Sequence, residues 1–168
     1  MKADQRKAPP GSYWIVPGRL LGGAHPASRS LADTIRRLEM LVARGVTSFI
    51  DLTEEGEAAP YIALANAQAE DAGKQLRYTR MPLPDHKVPP SVESMEAILD
   101  YVDAELAAGH CVYLHCRAGI GRTGTVAGCH LIRCGMAPDQ ALEHLQQRWE
   151  EGGRTAVWPH TPETDEQR

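Results

Sequence analysis

Residues 111–134 read CVYLHCRAGIGRTGTVAGCHLIRC, and no other stretch limits the fold as much. Cys111 to Leu114 has the length and composition of a short buried strand. A Gly-rich turn from Gly119 to Gly124 follows, and an apolar helix then runs to about Cys134, where Gly135 closes it. A strand that feeds a helix through a glycine loop is the building unit of α/β sheets. Such a loop lies at the carboxyl end of its strand, where open α/β sheets place their ligand sites.

The rest of the chain keeps this alternation. Tyr13 to Leu21 reads as two short strands around the Pro17-Gly18 turn. A helix is expected over Leu31 to Ala43, with Ile35, Leu38, Leu41 and Val42 on one face. Val46 to Leu52 reads as a buried strand, Pro60 to Ala72 as an Ala-rich helix, and Leu76 to Leu83 as a further strand. Four prolines between Pro82 and Pro90 forbid regular structure there and predict a loop of fixed shape. Ser91 caps a long helix with Val92, Met95, Ile98, Leu99, Val102 and Leu106 as its apolar positions. A last helix begins near Pro138 and carries Ala141, Leu142, Leu145 and Trp149. The expectation is an α/β fold, a central and mostly parallel sheet flanked by helices. At 168 residues it forms one domain spanning 1–168, with residues 1–11 and 159–168 expected to be flexible.

Composition removes several alternatives. A net charge of −4 speaks against a broad nucleic-acid surface, though not against a local cationic pocket. No apolar run reaches the roughly 18 residues of a membrane span, and the polar start has no signal-like segment. Cys111, Cys116, Cys129 and Cys134 lack the paired spacing of a zinc site. A cytoplasmic monomer with reduced cysteines, no membrane partner and no nucleic-acid partner is expected.

Within HCRAGIGRTG, five residues separate Cys116 from Arg122. A loop of this kind can curl so that the amides of Arg117, Ala118, Gly119, Ile120 and Gly121 point inward as an anion nest, reinforced by the helix N-terminus. Arg122 can lay its planar fork across two oxygens of the same anion. These donors also favour a thiolate at Cys116, the nucleophilic form of the residue. The cavity suits a phosphate-like dianion over a sulfur. Thr123 is placed to donate its hydroxyl to that sulfur. His115 is expected to point away and brace the loop.

The segment resembles the signature loop of the cysteine-dependent protein tyrosine and dual-specificity phosphatases, H-C-x-x-G-x-x-R-[ST]-G. GRLLGGAHP and FIDLTEEGE resemble small members of that family, including bacterial ones, and MPLPDHKVPP resembles its acid loop. The resemblance implies the compact phosphatase fold, with the Cys-x5-Arg loop between a strand and a helix. It implies a cysteinyl-phosphate intermediate on Cys116, Arg122 as phosphate clamp and Asp85 as general acid, with no metal or other cofactor. Asp85 precedes Cys116 by 31 residues, and no other Asp or Glu lies between Ala72 and Glu93. A positioned acid is needed because the leaving oxygen must take a proton.

Weaker candidates stand beside these. Asp51, Glu54 and Glu55 are candidates to orient Arg122; His86 and Lys87 to touch substrate; Arg117 to favour acidic substrates. Glu163 stands where large tyrosine phosphatases carry a water-positioning Gln, but a frayed tail is the simpler reading. Cys111, Cys129 and Cys134 read as core residues. The substrate implied is a phosphorylated protein, phosphotyrosine first and then phosphoserine or phosphothreonine. The alternative is a phosphatase of phosphoinositides, inositol phosphates or RNA 5′ ends. Against it, the loop carries no Lys, and Arg117 is its one extra cation.

Overall fold

The computed structural model describes residues 7–168. Ten elements follow one another: β1 (Ser12–Val16), β2 (Leu20–Gly23), α1 (Leu31–Ala43), β3 (Val46–Asp51), α2 (Ile62–Asp71), β4 (Arg77–Arg80), α3 (Val92–Ala107), β5 (Cys111–His115), α4 (Gly121–Arg133) and α5 (Pro138–Glu151). The sheet order is β1-β2-β5-β3-β4. Among the described residues only the β1–β2 hairpin is antiparallel; β2–β5, β5–β3 and β3–β4 run parallel.

Strand side chains alternate between faces, so each strand feeds two cores. Tyr13, Ile15, Leu20, Ile50, Val112 and Leu114 pack on one side with α3, α4 and α5. Trp14, Leu21, Phe49, Cys111 and Tyr113 pack on the other with α1 and α2. The strand at the centre, β5, is therefore buried along its whole length. Its last residue, His115, sits in register with Gly23 of β2 and Asp51 of β3. Three strands thus end level, and the chain leaves that edge through the Cys116 loop.

Ser30 and Ser91 cap α1 and α3 by accepting from the amides of Asp33 and Ser94. By contrast, Ile120, the N-cap of α4, gives no side-chain cap, so the first amides of α4 are open to another acceptor. The fold expected from the sequence is the fold found. Among smaller differences, β4 is shorter than Leu76–Leu83, although Leu83 itself is buried. Val92, the first residue of α3, faces solvent at 71% exposure, outside the reach of the sheet.

The expectation of a loose tail over 159–168 is corrected. Thr161 and Gln167 are buried, and Thr161 Oγ1 donates to Ile120 O at 3.0 Å. The tail fits because α4 is glycine-lined: a Cβ on Gly124 would meet Thr161 Oγ1 at 2.5 Å, and one on Gly121 would meet Gln167 Oε1 at 2.8 Å. At the other end, Pro9 is buried and accepts from Ser12 Oγ, while residues 1–6 lie outside the described residues. No helix among the described residues is long and apolar enough to cross a membrane.

Candidate active site

The loop after β5 is held from outside by its carbonyls. Arg117 O accepts from the His25 amide at 3.0 Å, and Ala118 O from Arg154 Nη1 at 2.9 Å. Gly119 O accepts from Tyr13 Oη at 3.1 Å, and Ile120 O from Thr161 Oγ1 at 3.0 Å. With four successive carbonyls turned outward, the amides are left to face the cavity, the arrangement an anion nest requires. Gly119 shows why the residue type matters. Its φ is +79°, and any Cβ there would collide with the backbone of Gly23.

Cys116 lies at the bottom, 3% exposed, and its Sγ accepts from the Gly119 amide at 3.3 Å. Ala118, Gly121 and the exposed Arg117 line the cavity above it, whereas Gly119 and Ile120 are buried behind. Thr123 is fully buried, but its hydroxyl bonds neither to Sγ nor to any other described group. The expected Thr123-to-sulfur hydrogen bond is therefore not made.

Arg122 is buried and held in the plane of the cavity wall. Nη1 and Nη2 donate to Glu57 Oε2 and Oε1 at 2.8 and 2.5 Å, and Nη1 also donates to Leu83 O at 3.1 Å. Burial works against the guanidinium charge, but Glu57, Cys116 and Asp85 more than offset it. In return the hydrogen bonds from Arg122 hold the Glu57 carboxyl below its ordinary range. Nε remains a buried donor with no partner among the described residues. The carboxylate that orients Arg122 is therefore Glu57, not Asp51, Glu54 or Glu55. Glu54 helps only through its amide, which donates to Glu57 Oε2 at 2.9 Å. The segment FIDLTEEGE was legible in the sequence, but among its acids the one that reaches the clamp was not.

Asp85 arrives from the proline loop. Its Oδ1 lies 3.1 Å from Arg122 Nη2 and accepts from the His86 amide at 3.0 Å. The His86 ring stands between two carboxylates, Asp85 at 3.5 Å and Glu163 at 3.4 Å. Its φ of 56° is the one left-handed value at a non-glycine among the described residues. Lys87 meets the tail through its backbone carbonyl, which accepts from Gln167 Nε2 at 3.1 Å. The tail thus joins the proline loop to α4, a link that the sequence did not disclose.

Behind the loop lies a buried polar group. His115 Nδ1 is 3.3 Å from Cys116 O, which can only accept, so Nδ1 carries the proton and Nε2 accepts from Tyr61 Oη at 2.6 Å. Burial pushes the imidazole pKa down to about 4, despite Asp51 3.9 Å away, and the ring is neutral at ordinary pH. Burial also opposes charge on Asp51, but hydrogen bonds from Thr53 and Tyr78 hold its carboxyl below the usual range. His25, Asp51 and His115 have ligand atoms within 4.8 Å of one another, a spacing that could hold a metal ion. Their atoms are already engaged: Asp51 Oδ1 and Oδ2 accept from Thr53 and Tyr78, and His25 Nδ1 from the Ala27 amide. They read as a hydrogen-bonded support for the loop. Of the other cysteines, Cys111 is the informative one. It starts β5 about 16 Å from Cys116 at strand rise, too far to form a disulfide with it, and burial pushes its thiol up to about 11.

The cavity over Cys116 has a volume of 820 Å³. Its walls also carry Arg29, Arg37, Arg154 and Trp158, none of which belongs to a recognisable motif.

Comparison with known proteins places these features in context. Residues 9–163 match the family model described as Swiss Army Knife protein, DSP-PTPase phosphatase domain. The human dual specificity protein phosphatase 1 is 33% identical over 140 residues, covering 82% of this chain and 32% of that protein. The Arabidopsis thaliana phosphatidylglycerophosphate phosphatase PTPMT2 is 30% identical over 128 residues, covering 76% of this chain and 50% of that protein. Among solved structures, Tk-PTP in its active form superimposes with a TM-score of 0.71 at 26% identity, covering 94% of this chain and 91% of that one. The chain thus spans about a third of the length of its human relative.

Proposed function

The chain belongs to the DSP-PTPase phosphatase family, and from that premise we propose that it hydrolyses phosphomonoesters through a phosphate carried on Cys116. The observation that carries this reading is the arrangement of donors around one buried sulfur. Four loop carbonyls are tied outward, α4 begins uncapped, and Arg122 Nε is an unpartnered donor. All of these favour a tetrahedral dianion over Cys116 Sγ.

In the first step the Cys116 thiolate attacks phosphorus. The S–P bond forms, the bond from phosphorus to the leaving oxygen breaks, and protonated Asp85 gives its proton to that oxygen. In the second step the Asp85 carboxylate takes a proton from water, the water oxygen attacks phosphorus, and the S–P bond breaks to release inorganic phosphate. Arg122 Nη2 is shared between Glu57 and Asp85, so a phosphate that engages the guanidinium replaces Asp85 and frees it to face the ester oxygen. The loop amides and Arg122 supply the charge stabilisation. Arg117 and His86 stand at the rim in contact range of the rest of the substrate, and His115 keeps the loop in shape.

The resemblance in the sequence favours phosphotyrosine, and after it phosphoserine or phosphothreonine, in proteins. The names of the relatives divide between protein and lipid phosphomonoesters. One observation favours the second class: the cavity carries Arg29, Arg37 and Arg154 besides Arg117, more positive charge than one phosphotyrosine needs. The reaction itself is tested by a leaving-group series. Asp85→Asn should lower kcat/KM by about 100-fold or more on alkyl phosphates, whose alkoxide needs the proton, and by much less on activated aryl phosphates. An equal loss on both would place the acid elsewhere.

A further inference from the structure

Four arginines of the cleft take no part in the bond-making and bond-breaking steps above. Arg29 precedes α1, Arg37 lies in its second turn, Arg117 belongs to the loop, and Arg154 follows α5. The carboxylates of the same cavity are already committed, Glu57 and Asp85 to Arg122 and Glu163 to His86. Neither Arg29 nor Arg37 has a hydrogen-bond or ion-pair partner among the described residues. Arg154 is fixed in place. Its guanidinium lies 5.0 Å from the Trp149 ring and 4.8 Å from the Trp158 ring, and Nη1 donates to Ala118 O. Only part of its fork is used there. Burial lowers its pKa, the neighbouring Tyr113, Tyr13 and Cys116 oppose that shift, and the charge of Arg37 adds to it.

Like charges held together in this way cost stability unless something anionic joins them. The chain as a whole carries a net charge of −4, so the cluster is a local feature. A second cavity of 560 Å³ adjoins the first, and the two share Ala24, His25, Arg37 and Arg154. Arg37 and Arg154 therefore stand where the two spaces meet, beside the position that holds the scissile phosphate.

We propose that Arg37 and Arg154 form a second anion subsite, and that the preferred substrate is a compact molecule bearing at least two phosphates. One phosphate lies over Cys116 and another between the two guanidiniums, with Arg29 and Arg117 facing any further anion. The four arginines line one cavity together with Cys116 and Arg122, which fits charges held close together on a small ring better than charges strung along an extended peptide. A polyphosphorylated cyclitol has this chemistry, whether free or as the headgroup of a lipid. The inference rests on the phosphomonoesterase reading and narrows it.

The test compares phosphate release by the full chain from para-nitrophenyl phosphate, a soluble inositol trisphosphate, the same headgroup on a short-chain lipid, and a phosphotyrosine peptide. The trisphosphate should exceed para-nitrophenyl phosphate in kcat/KM by about tenfold or more, and Arg37→Gln should lower that ratio by about tenfold. Equal rates on the free and lipid forms would assign recognition to the headgroup alone, and faster release from the lipid would assign the adjoining cavity to its chain; both retain the subsite. A preference for the peptide, or a ratio that Arg37→Gln leaves in place, overturns the proposal while the reaction reading stands. If no ester is hydrolysed, the reaction reading fails, and calorimetry with the trisphosphate decides the subsite. Binding weakened by Arg37→Gln supports it, and no binding overturns it.

Discussion

Glu57 grips Arg122 with both oxygens, Oε1 on Nη2 at 2.5 Å and Oε2 on Nη1 at 2.8 Å. This pairing fixes the guanidinium plane and leaves Nε a buried donor without a partner among the described residues. Glu57→Gln keeps the shape but can accept only one of the two bonds. Asp85 still stands 3.1 Å from Nη2, so the folded state should lose only about 1–2 kcal/mol. The expected loss in kcat/KM for an aryl phosphate is about tenfold to 100-fold. Wild-type kinetics in a folded Gln variant would contradict the orienting role.

Arg122→Lys tests the fork itself. An ammonium supplies charge but cannot pair with Glu57 through two nitrogens and still present a planar donor to phosphate. Removal of one preorganised donor costs about 10²–10³ in kcat, and the Lys variant should fall in that range. Near-normal turnover would show that charge alone is enough.

The C-terminal tail is expected to govern the acid loop. Gln167 Nε2 donates to Lys87 O, and its own carbonyl accepts from Thr125 Oγ1 at 3.5 Å. Gln167→Ala should leave Lys87 O without that partner and cost about 1 kcal/mol. Hydrogen exchange should then speed up across residues 84–88 with α3 unaffected. Unchanged exchange in that loop would mean that the tail merely covers α4.

Acid should destabilise the fold through His115. Burial depresses its pKa from the ordinary 6.5 to about 4, so between these values the unfolded chain binds the proton and the folded chain does not. Stability is therefore full above about pH 6.5 and falls as the pH drops toward about 4, by on the order of 3 kcal/mol. Asp51, held below the usual carboxylate range, acts in the same direction at lower pH. Urea midpoints measured across this window should fall in the wild type and more gently in His115→Asn. Parallel curves would show that His115 is not the group responsible.

The parts of the site that lie in one stretch of chain were legible in the sequence. Cys116, Arg122 and His115 share a single loop, and Asp85 stands alone among the prolines. The sheet was legible too, because β-branched, apolar runs such as Val46 to Leu52 and glycine stops such as Gly45 depend on near neighbours only. Residues that reach the site through tertiary packing were not. Glu57 was passed over for Asp51, Glu54 and Glu55, since nothing local tells which acid meets a guanidinium 65 positions away. Arg154 owes its place to Trp149 and Trp158, which sit on either side of a turn with no pattern. The tail seemed loose because its polar composition hides contacts that exist only where Gly121 and Gly124 leave room.

The central claim is that phosphate passes through sulfur. Rapid acid quenching of the full chain during turnover of an aryl phosphate, followed by peptide mapping, measures this directly. Phosphate should appear on the peptide containing Cys116 and decay as inorganic phosphate is released. Asp85→Asn should prolong its lifetime, because activation of water is then slowed. Cys116→Ser should give neither adduct nor turnover, since no neighbouring base is placed to activate a serine hydroxyl. Turnover by a folded Cys116→Ser variant, or phosphate recovered on any other residue, would contradict the account.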